Sequence, residues 1–155
     1  MTKRSADHAT FVIERTYSAA PARVFAAWST AEAKAAWFVG PAGKWSVLER
    51  KLDFRVGGRE RVRGAIAGGP VTDFDACYFD IVPNERIVYA YGMHLDDRRI
   101  SVSLATIEFK PQGTGTRLVL TEQGVFLDGY DDAGSRERGT RGLLDQLEAA
   151  LRQAA

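Results

Sequence analysis

The sequence predicts an α+β fold in which a curled antiparallel sheet of seven strands is covered by one long C-terminal helix. Two features of the chain predict this. About eighty residues of strand-like sequence run from Lys44 to Phe126, and one amphipathic helix follows them. The links between the predicted strands are short, which favours antiparallel pairing of strands that are neighbours along the chain.

One strand and two short helices precede this region. Thr10–Tyr17 is rich in β-branched and aromatic residues and predicts the first strand, whereas residues 1–8 predict a flexible tail. Ser18 and Pro21 are typical of a helix start, and a second short helix is predicted over Ala31–Phe38. The remaining strands are predicted over Lys44–Phe54, Arg59–Ala67, Val71–Val82, Arg86–Leu95, Arg98–Phe109 and Thr116–Phe126. Because the chain shows no linker and no repeat, residues 9–155 are predicted to form a single domain.

The C-terminal helix is predicted over Thr140–Gln153, after an acidic surface loop over Leu127–Arg138. Its apolar stripe consists of Leu144, Leu147 and Leu151, at the i, i+3, i+7 spacing of a helix that packs on a sheet. This stripe should face the concave side of the sheet.

A helix of this length leaves part of the sheet uncovered. About 14 helical residues span roughly 21 Å, whereas strands of 9 to 11 residues span roughly 30 Å. The uncovered end is the predicted mouth of an internal cavity, where a small molecule would bind. Gly139 and Gly142 weaken the helix start by up to about 1 kcal/mol each. Either the helix backbone closely approaches the sheet or a ligand at these glycines, or the helix start frays.

The composition is that of an ordinary globular protein. The 155 residues are 45% apolar and 26% charged, and 21 Lys and Arg against 20 Asp and Glu give a formal net charge of +1. Such a balance provides no strong field for nucleic acid or for an anionic membrane. Cys77 is the only cysteine, the N-terminus lacks a signal-peptide run, and no apolar stretch reaches the roughly 18 residues of a membrane span. We therefore expect a cytoplasmic protein with no membrane span.

Aromatic, polar and leucine side chains are the candidates for binding a ligand in this cavity. Trp37 and Phe38 end a short helix before a Gly-Pro loop and are candidates for a gate. Tyr89 and Tyr91 share one strand face, from which their hydroxyls can orient a ligand. The predicted ligand-binding residues are Trp37, Phe38, Phe79, Tyr89, Tyr91, Ser103, Glu122, Leu144 and Leu147.

Glu122 is the polar residue with the clearest predicted position. Leu118, Leu120 and Glu122 alternate onto one strand face, so the carboxyl should point into the cavity with the leucines. Burial would raise its pKa and let it act as an acid or a hydrogen-bond donor. The structural alternative is a carboxylate paired with an arginine such as Arg55.

The other polar residues predict no chemistry. Ser101 and Ser103 share a strand face that looks either into the cavity or to solvent. His8 and His94 are too far apart to indicate a metal site, and His94 is interpreted as a surface histidine. No catalytic residue, metal or cofactor is predicted.

Several motifs spread along the chain resemble a known family. They are Ala20-Pro21 before Val24-Phe25, Trp37–Pro41, Asp53–Gly58, Asp80–Ile87, Gly115–Leu118 and Thr121–Gly124. In this order and spacing they resemble the START-like (SRPBCC) superfamily, specifically homologues of the C-terminal domain of the activator of heat-shock protein 90 ATPase. The resemblance implies a helix-grip fold, in which seven antiparallel strands grip the C-terminal helix around a cavity.

The superfamily is similar to lipid carriers, hormone receptors and polyketide cyclases. One departure is Ala90-Tyr91, where the family often has Thr-Trp. The chain also lacks the separate N-terminal domain of the eukaryotic co-chaperone, so stimulation of the chaperone is not expected.

Three functions remain open from the sequence. The preferred hypothesis is a carrier or sensor of a small apolar or aromatic molecule, without nucleic acid as a partner. The second is an enzyme of the cyclase or hydrolase kind that uses Glu122 as acid or base. The third is a protein-interaction module, related to chaperones or acting as a homodimer through the outer face of the sheet.

Overall fold

The computed structural model describes residues 3–153, and the architecture confirms the predicted α+β helix-grip arrangement. The strands are β1 (Ala6–Tyr17), β2 (Trp45–Leu52), β3 (Arg59–Ile66), β4 (Val71–Val82), β5 (Arg86–Leu95), β6 (Arg98–Gln112) and β7 (Gly115–Leu127). The helices are α1 (Pro21–Ala26), α2 (Ala31–Ala35) and α3 (Ala133–Gln153). The strands form one antiparallel sheet in the order β1-β7-β6-β5-β4-β3-β2. Consecutive strands from β2 to β7 are neighbours because their connections are short.

The first strand is longer at its N-terminus than the sequence predicts. It begins at Ala6, and Asp7 and His8 pair with Phe126 and Val125 of β7. The prediction of a flexible tail is therefore wrong for residues 6–8, because backbone pairing with β7 orders exposed polar residues that carry no apolar signal. Residues 1 and 2 of the predicted tail lie outside the described residues.

The two short helices differ from prediction at their ends. Pro21 occupies the first turn of α1 as expected, but the N-cap residue is Ala20 rather than Ser18. In α2 the Thr30 hydroxyl accepts a hydrogen bond from the Ala33 N–H at 3.0 Å, which caps the helix. The α2 helix ends at Ala35, so Trp37 and Phe38 lie in the turn that follows it.

The C-terminal helix is the largest departure from the predicted boundaries. It begins at Ala133 instead of Thr140, so the predicted loop is wrong for residues 133–138. Asp132 starts the helix, since its Oδ1 accepts from the Ser135 N–H at 2.8 Å and its carbonyl accepts from the Arg136 N–H at 3.1 Å. The 21 residues of α3 span about 31 Å.

The core fills one end of the space between the sheet and α3. Leu144, Leu147 and Leu151 are buried there, as the stripe predicts, and the Tyr17 hydroxyl donates to the Leu144 carbonyl at 2.9 Å. The α1 residue Phe25 packs edge-on against Phe109, with ring centroids 5.4 Å apart. The other end, beneath the N-terminal half of α3, is not filled. Across residues 3–153, no helix combines the length and apolarity needed to cross a membrane.

Candidate functional site

A cavity of about 530 Å³ lies between the sheet and the N-terminal half of α3. Its volume falls within the range typical of small-molecule sites. Most of its wall is aromatic, formed by Trp28, Trp37, Phe38, Trp45, Phe74, Tyr89 and Tyr91. The helix side is formed by Ser135, Arg136, Gly139, Thr140, Gly142, Leu143, Leu144 and Gln146.

Gly139 and Gly142 of α3 line the cavity and are exposed, and a Cβ built on either glycine would meet no atom within 4 Å. The helix begins at Ala133, well before them, so the interpretation that they fray its start is wrong. The sheet makes no close contact at these glycines, whereas the approach of a ligand to them stays a prediction. The predicted cause of the cavity, a helix too short to cover the sheet, is wrong, because α3 is longer than predicted and still leaves space beneath its N-terminal half.

A buried polar cluster forms one end of the cavity. The Tyr91 hydroxyl donates to Glu122 Oε2 at 2.7 Å and accepts from Arg136 Nη1 at 2.9 Å. Arg136 Nη2 donates to Ser101 Oγ at 2.8 Å and to Asp131 Oδ2 at 3.0 Å. Arg136 Nη1 lies 3.7 Å from Glu122 Oε2, so one guanidinium faces two carboxyl groups.

The Glu122 carboxyl is held in place by this cluster. It is only 3% exposed, and burial raises its pKa above the ordinary value, while hydrogen bonding from Tyr91 and the charge of Arg136 act in the opposite direction. The structural alternative predicted a partner arginine, and the partner is Arg136. The suggested Arg55 is wrong, because its guanidinium pairs with Asp53 at 2.8 Å on the surface.

One hydroxyl in the cavity wall is left without a partner. Tyr89 is only 5% exposed and lines the cavity, and its hydroxyl makes no hydrogen bond to a described residue. Burial and the nearby Tyr91, Glu122 and Glu60 raise its pKa, so the hydroxyl stays protonated. A ligand in the cavity can therefore accept a hydrogen bond from Tyr89.

A second buried polar cluster lies behind the aromatic wall. Lys34 Nζ lies 2.7 Å from Glu60 Oε1, and the Tyr78 hydroxyl donates to the same oxygen at 2.7 Å. Lys34 and Glu60 are at most 1% exposed, and burial lowers the pKa of Lys34 despite the opposing charge of Glu60. The ammonium lies 4.1 Å from the centroid of the Phe38 ring, a cation–π contact with the cavity wall.

The loop after α2 is tied to α3 at the border of the cavity. Gln146 Nε2 donates to the Trp37 carbonyl at 2.7 Å and to the Val39 carbonyl at 3.3 Å. The Trp37 indole donates to the Ala27 carbonyl at 2.9 Å, and its side chain is 1% exposed. Trp37 is therefore a fixed part of the wall rather than the gate that its position in the sequence indicates.

The structure brings most of the predicted ligand-binding residues together. Of the predicted residues, those that line the cavity are Trp37, Phe38, Tyr89, Tyr91, Glu122 and Leu144. Ser103 and Leu147 are buried but are not part of the wall, and Ser103 Oγ makes no hydrogen bond of good geometry to a described residue. The nearby Ser103 hydroxyl nevertheless acts to lower the pKa of Glu122, against the effect of burial.

The position predicted for Phe79 is wrong. Its side chain is 60% exposed, because Phe74, Ala76 and Tyr78 are the β4 residues that face the core and Phe79 follows them on the opposite face. A register shift between Tyr78 and Asp80 places Phe79 at a bulge.

Sequence reasoning missed Arg136, Lys34 and Glu60. Arg136 lies in the segment interpreted as a loop. Glu60 alternates with the buried Val62 on β3, which is the same signal that located Glu122. No group of three or more His, Cys, Asp or Glu side chains within residues 3–153 is arranged to hold a metal ion.

A curled seven-stranded sheet around a helix, with a cavity between them, defines a START-like protein of the helix-grip class. The sequence pattern of one family within this class, described as "Activator of Hsp90 ATPase homolog 1-like protein", matches residues 18–152. The chain therefore belongs to this family, as the resemblance predicted.

Several solved structures are similar to this one. A protein of Rhizobium leguminosarum is 53% identical, with 98% of this chain and 99% of that chain covered and a TM-score of 0.92. The Mll3558 protein of Rhizobium loti is 48% identical, with 94% and 99% covered and a TM-score of 0.86. An AHSA1-like protein of Aeromonas hydrophila shares the fold at 20% identity, with 94% of each chain covered and a TM-score of 0.71. No curated protein matches this chain.

Proposed function

We propose that this protein binds a small apolar or aromatic molecule in the cavity beneath α3, as a carrier or sensor without catalysis. The observation that supports the proposal is the cavity of about 530 Å³ with its largely aromatic wall. Each 100 Å² of apolar surface that a ligand buries there contributes about 2.5 kcal/mol to binding before the entropy cost of association.

Leu143 of α3 supplies a direct test. It lines the cavity and packs against the core, so the larger side chain of Leu143→Trp should occupy space that a ligand needs. Urea denaturation shows whether the variant still unfolds cooperatively. Loss of binding in a variant that does so cannot be attributed to unfolding.

The experiment is a thermal-shift screen of apolar and aromatic compounds against the parent and two variants. We expect a hit to raise the melting temperature of the parent and of Ala149→Trp, which adds the same side chain to α3 at an exposed position outside the cavity wall. The same compound should have little effect on Leu143→Trp. A compound that stabilises Leu143→Trp as much as the parent binds elsewhere and contradicts the proposed site.

The polar cluster favours a structural role over a catalytic role for Glu122. Tyr91 and Arg136 already engage Oε2, so this oxygen serves the architecture of the wall. Glu122→Gln should therefore retain ligand binding within a few-fold of the parent, as measured by calorimetry with a compound from the screen. A turnover that Glu122→Gln abolishes would support the enzyme hypothesis instead.

A further inference from the structure

The unpartnered Tyr89 hydroxyl restricts which ligands the cavity can take, provided that the proposed binding function holds. The neighbouring Tyr91 hydroxyl already donates to Glu122 and accepts from Arg136, so it is not free for a ligand. Tyr89 lies beside it, with ring centroids 6.0 Å apart, and its hydroxyl has no hydrogen-bond partner among the described residues. A ligand that covers this hydroxyl must supply an acceptor, because a donor left buried without a partner costs free energy.

The charges around the cavity disfavour an acidic ligand. Among the described residues that form the wall, the charged side chains are Arg136, Glu122 and Asp131. The guanidinium of Arg136 donates to Tyr91, Ser101 and Asp131, so its hydrogen-bonding capacity is largely used.

The nearby cations Lys34 and Arg50 do not line the cavity. Lys34 is paired with Glu60. Arg50 Nη2 donates to the Phe38 carbonyl at 2.8 Å, and its Nη1 has no partner among the described residues. A carboxylate or phosphate would therefore enter a site with no unpaired cation in its wall, next to two carboxyl groups.

The composition of the wall favours an aromatic molecule. Rings such as those of Phe74, Tyr89 and Tyr91 line the cavity on the sheet side. An aromatic ligand can pack on these rings in offset-stacked or edge-on geometry.

We propose that the ligand is an uncharged aromatic molecule with an oxygen acceptor, such as a carbonyl or ether, that accepts a hydrogen bond from Tyr89. Tyr89 is then the residue that determines specificity for the acceptor, and the aromatic wall favours the ring. The charges of the wall disfavour fatty acids and other aliphatic acids.

Three naphthalenes substituted at the same ring position test this by calorimetry: acetylnaphthalene, ethylnaphthalene and naphthoate. They share one ring and differ in having a neutral acceptor, no acceptor, or a negative charge. We expect acetylnaphthalene to bind about tenfold more tightly than ethylnaphthalene, the value of one well-placed hydrogen bond. Naphthoate should bind more weakly than both.

Tyr89→Phe removes the donor and keeps the ring. It should lower the affinity for acetylnaphthalene about tenfold and leave that for ethylnaphthalene unchanged. Because the Tyr89 hydroxyl has no partner in the protein, the variant should be at least as stable as the parent.

Two results would overturn the inference while leaving the proposed function intact. One is naphthoate, or laurate as a flexible acid, binding more tightly than acetylnaphthalene while Leu143→Trp still blocks it. The other is an equal effect of Tyr89→Phe on all three naphthalenes. If neither these probes nor any compound of the thermal-shift screen binds the parent, the proposed function itself fails.

Discussion

Removing the buried ammonium of Lys34 should destabilise the protein strongly. Lys34 Nζ lies 2.7 Å from Glu60 Oε1, and both side chains are at most 1% exposed. Two unit charges at this distance attract each other by about 6 kcal/mol at an effective dielectric constant of about 20. Part of this attraction is offset by the cost of burying the charges. Lys34→Met keeps the apolar stem but leaves the Glu60 carboxylate with Tyr78 as its remaining partner, which should cost about 3–5 kcal/mol.

Urea denaturation followed by circular dichroism measures this loss, and a double variant separates pairing from packing. Lys34→Met combined with Glu60→Gln leaves no buried charge and keeps an acceptor for the Tyr78 hydroxyl. The double variant should therefore recover at least about 2 kcal/mol relative to Lys34→Met alone.

An exposed lysine serves as the control. Lys51 is exposed and pairs with Glu49 at 3.2 Å, so Lys51→Met should change the free energy of unfolding by less than about 0.5 kcal/mol. If Lys34→Met is within about 1 kcal/mol of the parent, or if the double variant is less stable than the single one, the buried pair does not stabilise the fold as argued.

Three further predictions have defined outcomes. Tyr91→Phe removes a hydrogen bond to the buried Glu122 carboxyl and should lower the free energy of unfolding by about 1–3 kcal/mol in urea denaturation; no loss would mean that the bond does not form. Burial raises the pKa of Glu122 above its ordinary value of 4.5, so the folded protein holds this proton more tightly than the unfolded chain does. The stability gained from this proton is fully present below pH 4.5 and is lost as the pH rises through the folded-state pKa. Glu122→Gln should therefore flatten the fall in the free energy of unfolding above pH 4.5. An unchanged pH dependence would contradict the raised pKa. Gly64→Ala would place a Cβ in clash with the Trp45 indole and should cost about 1–3 kcal/mol. Gly92→Ala meets no atom within 4 Å and should cost less than about 0.5 kcal/mol in the same assay. Equal losses for the two glycine variants would show that the Trp45 contact is unimportant.

Strand positions could be predicted well because alternation and turn residues act locally. The boundaries of β4 and β5 agree with prediction, since Pro83-Asn84 and Asp96-Asp97 mark the turns at their ends. Asn84 and Asp96 both adopt positive φ, which short polar residues tolerate.

The start of α3 could not be predicted from local composition. Residues 127–138 read as an acidic loop, yet Asp132 is the residue whose side chain begins the helix. Several polar residues near Asp132 could also cap a helix, so the sequence does not single out one of them. Packing of the helix on the sheet determines where it starts. The error hid Arg136, because a loop arginine carries no expectation of burial.

Lys34 illustrates a different limit. It precedes Trp37 and Phe38 by three and four residues, the spacing that places side chains on the same helix face. Glu60 alternates with the buried Val62 on β3. Each residue has a local signal for burial. Their pairing is a contact between a helix and a distant strand, and no single-sequence pattern specifies such a contact.

All three tryptophans of the chain, Trp28, Trp37 and Trp45, line the cavity. The tryptophan fluorescence of the protein therefore originates entirely at the proposed site, with no distant indole to dilute the signal when the tryptophans are excited selectively. An aromatic guest should quench or shift this emission in proportion to occupancy, so that stoichiometry and exchange rates can be followed optically on the unlabelled protein.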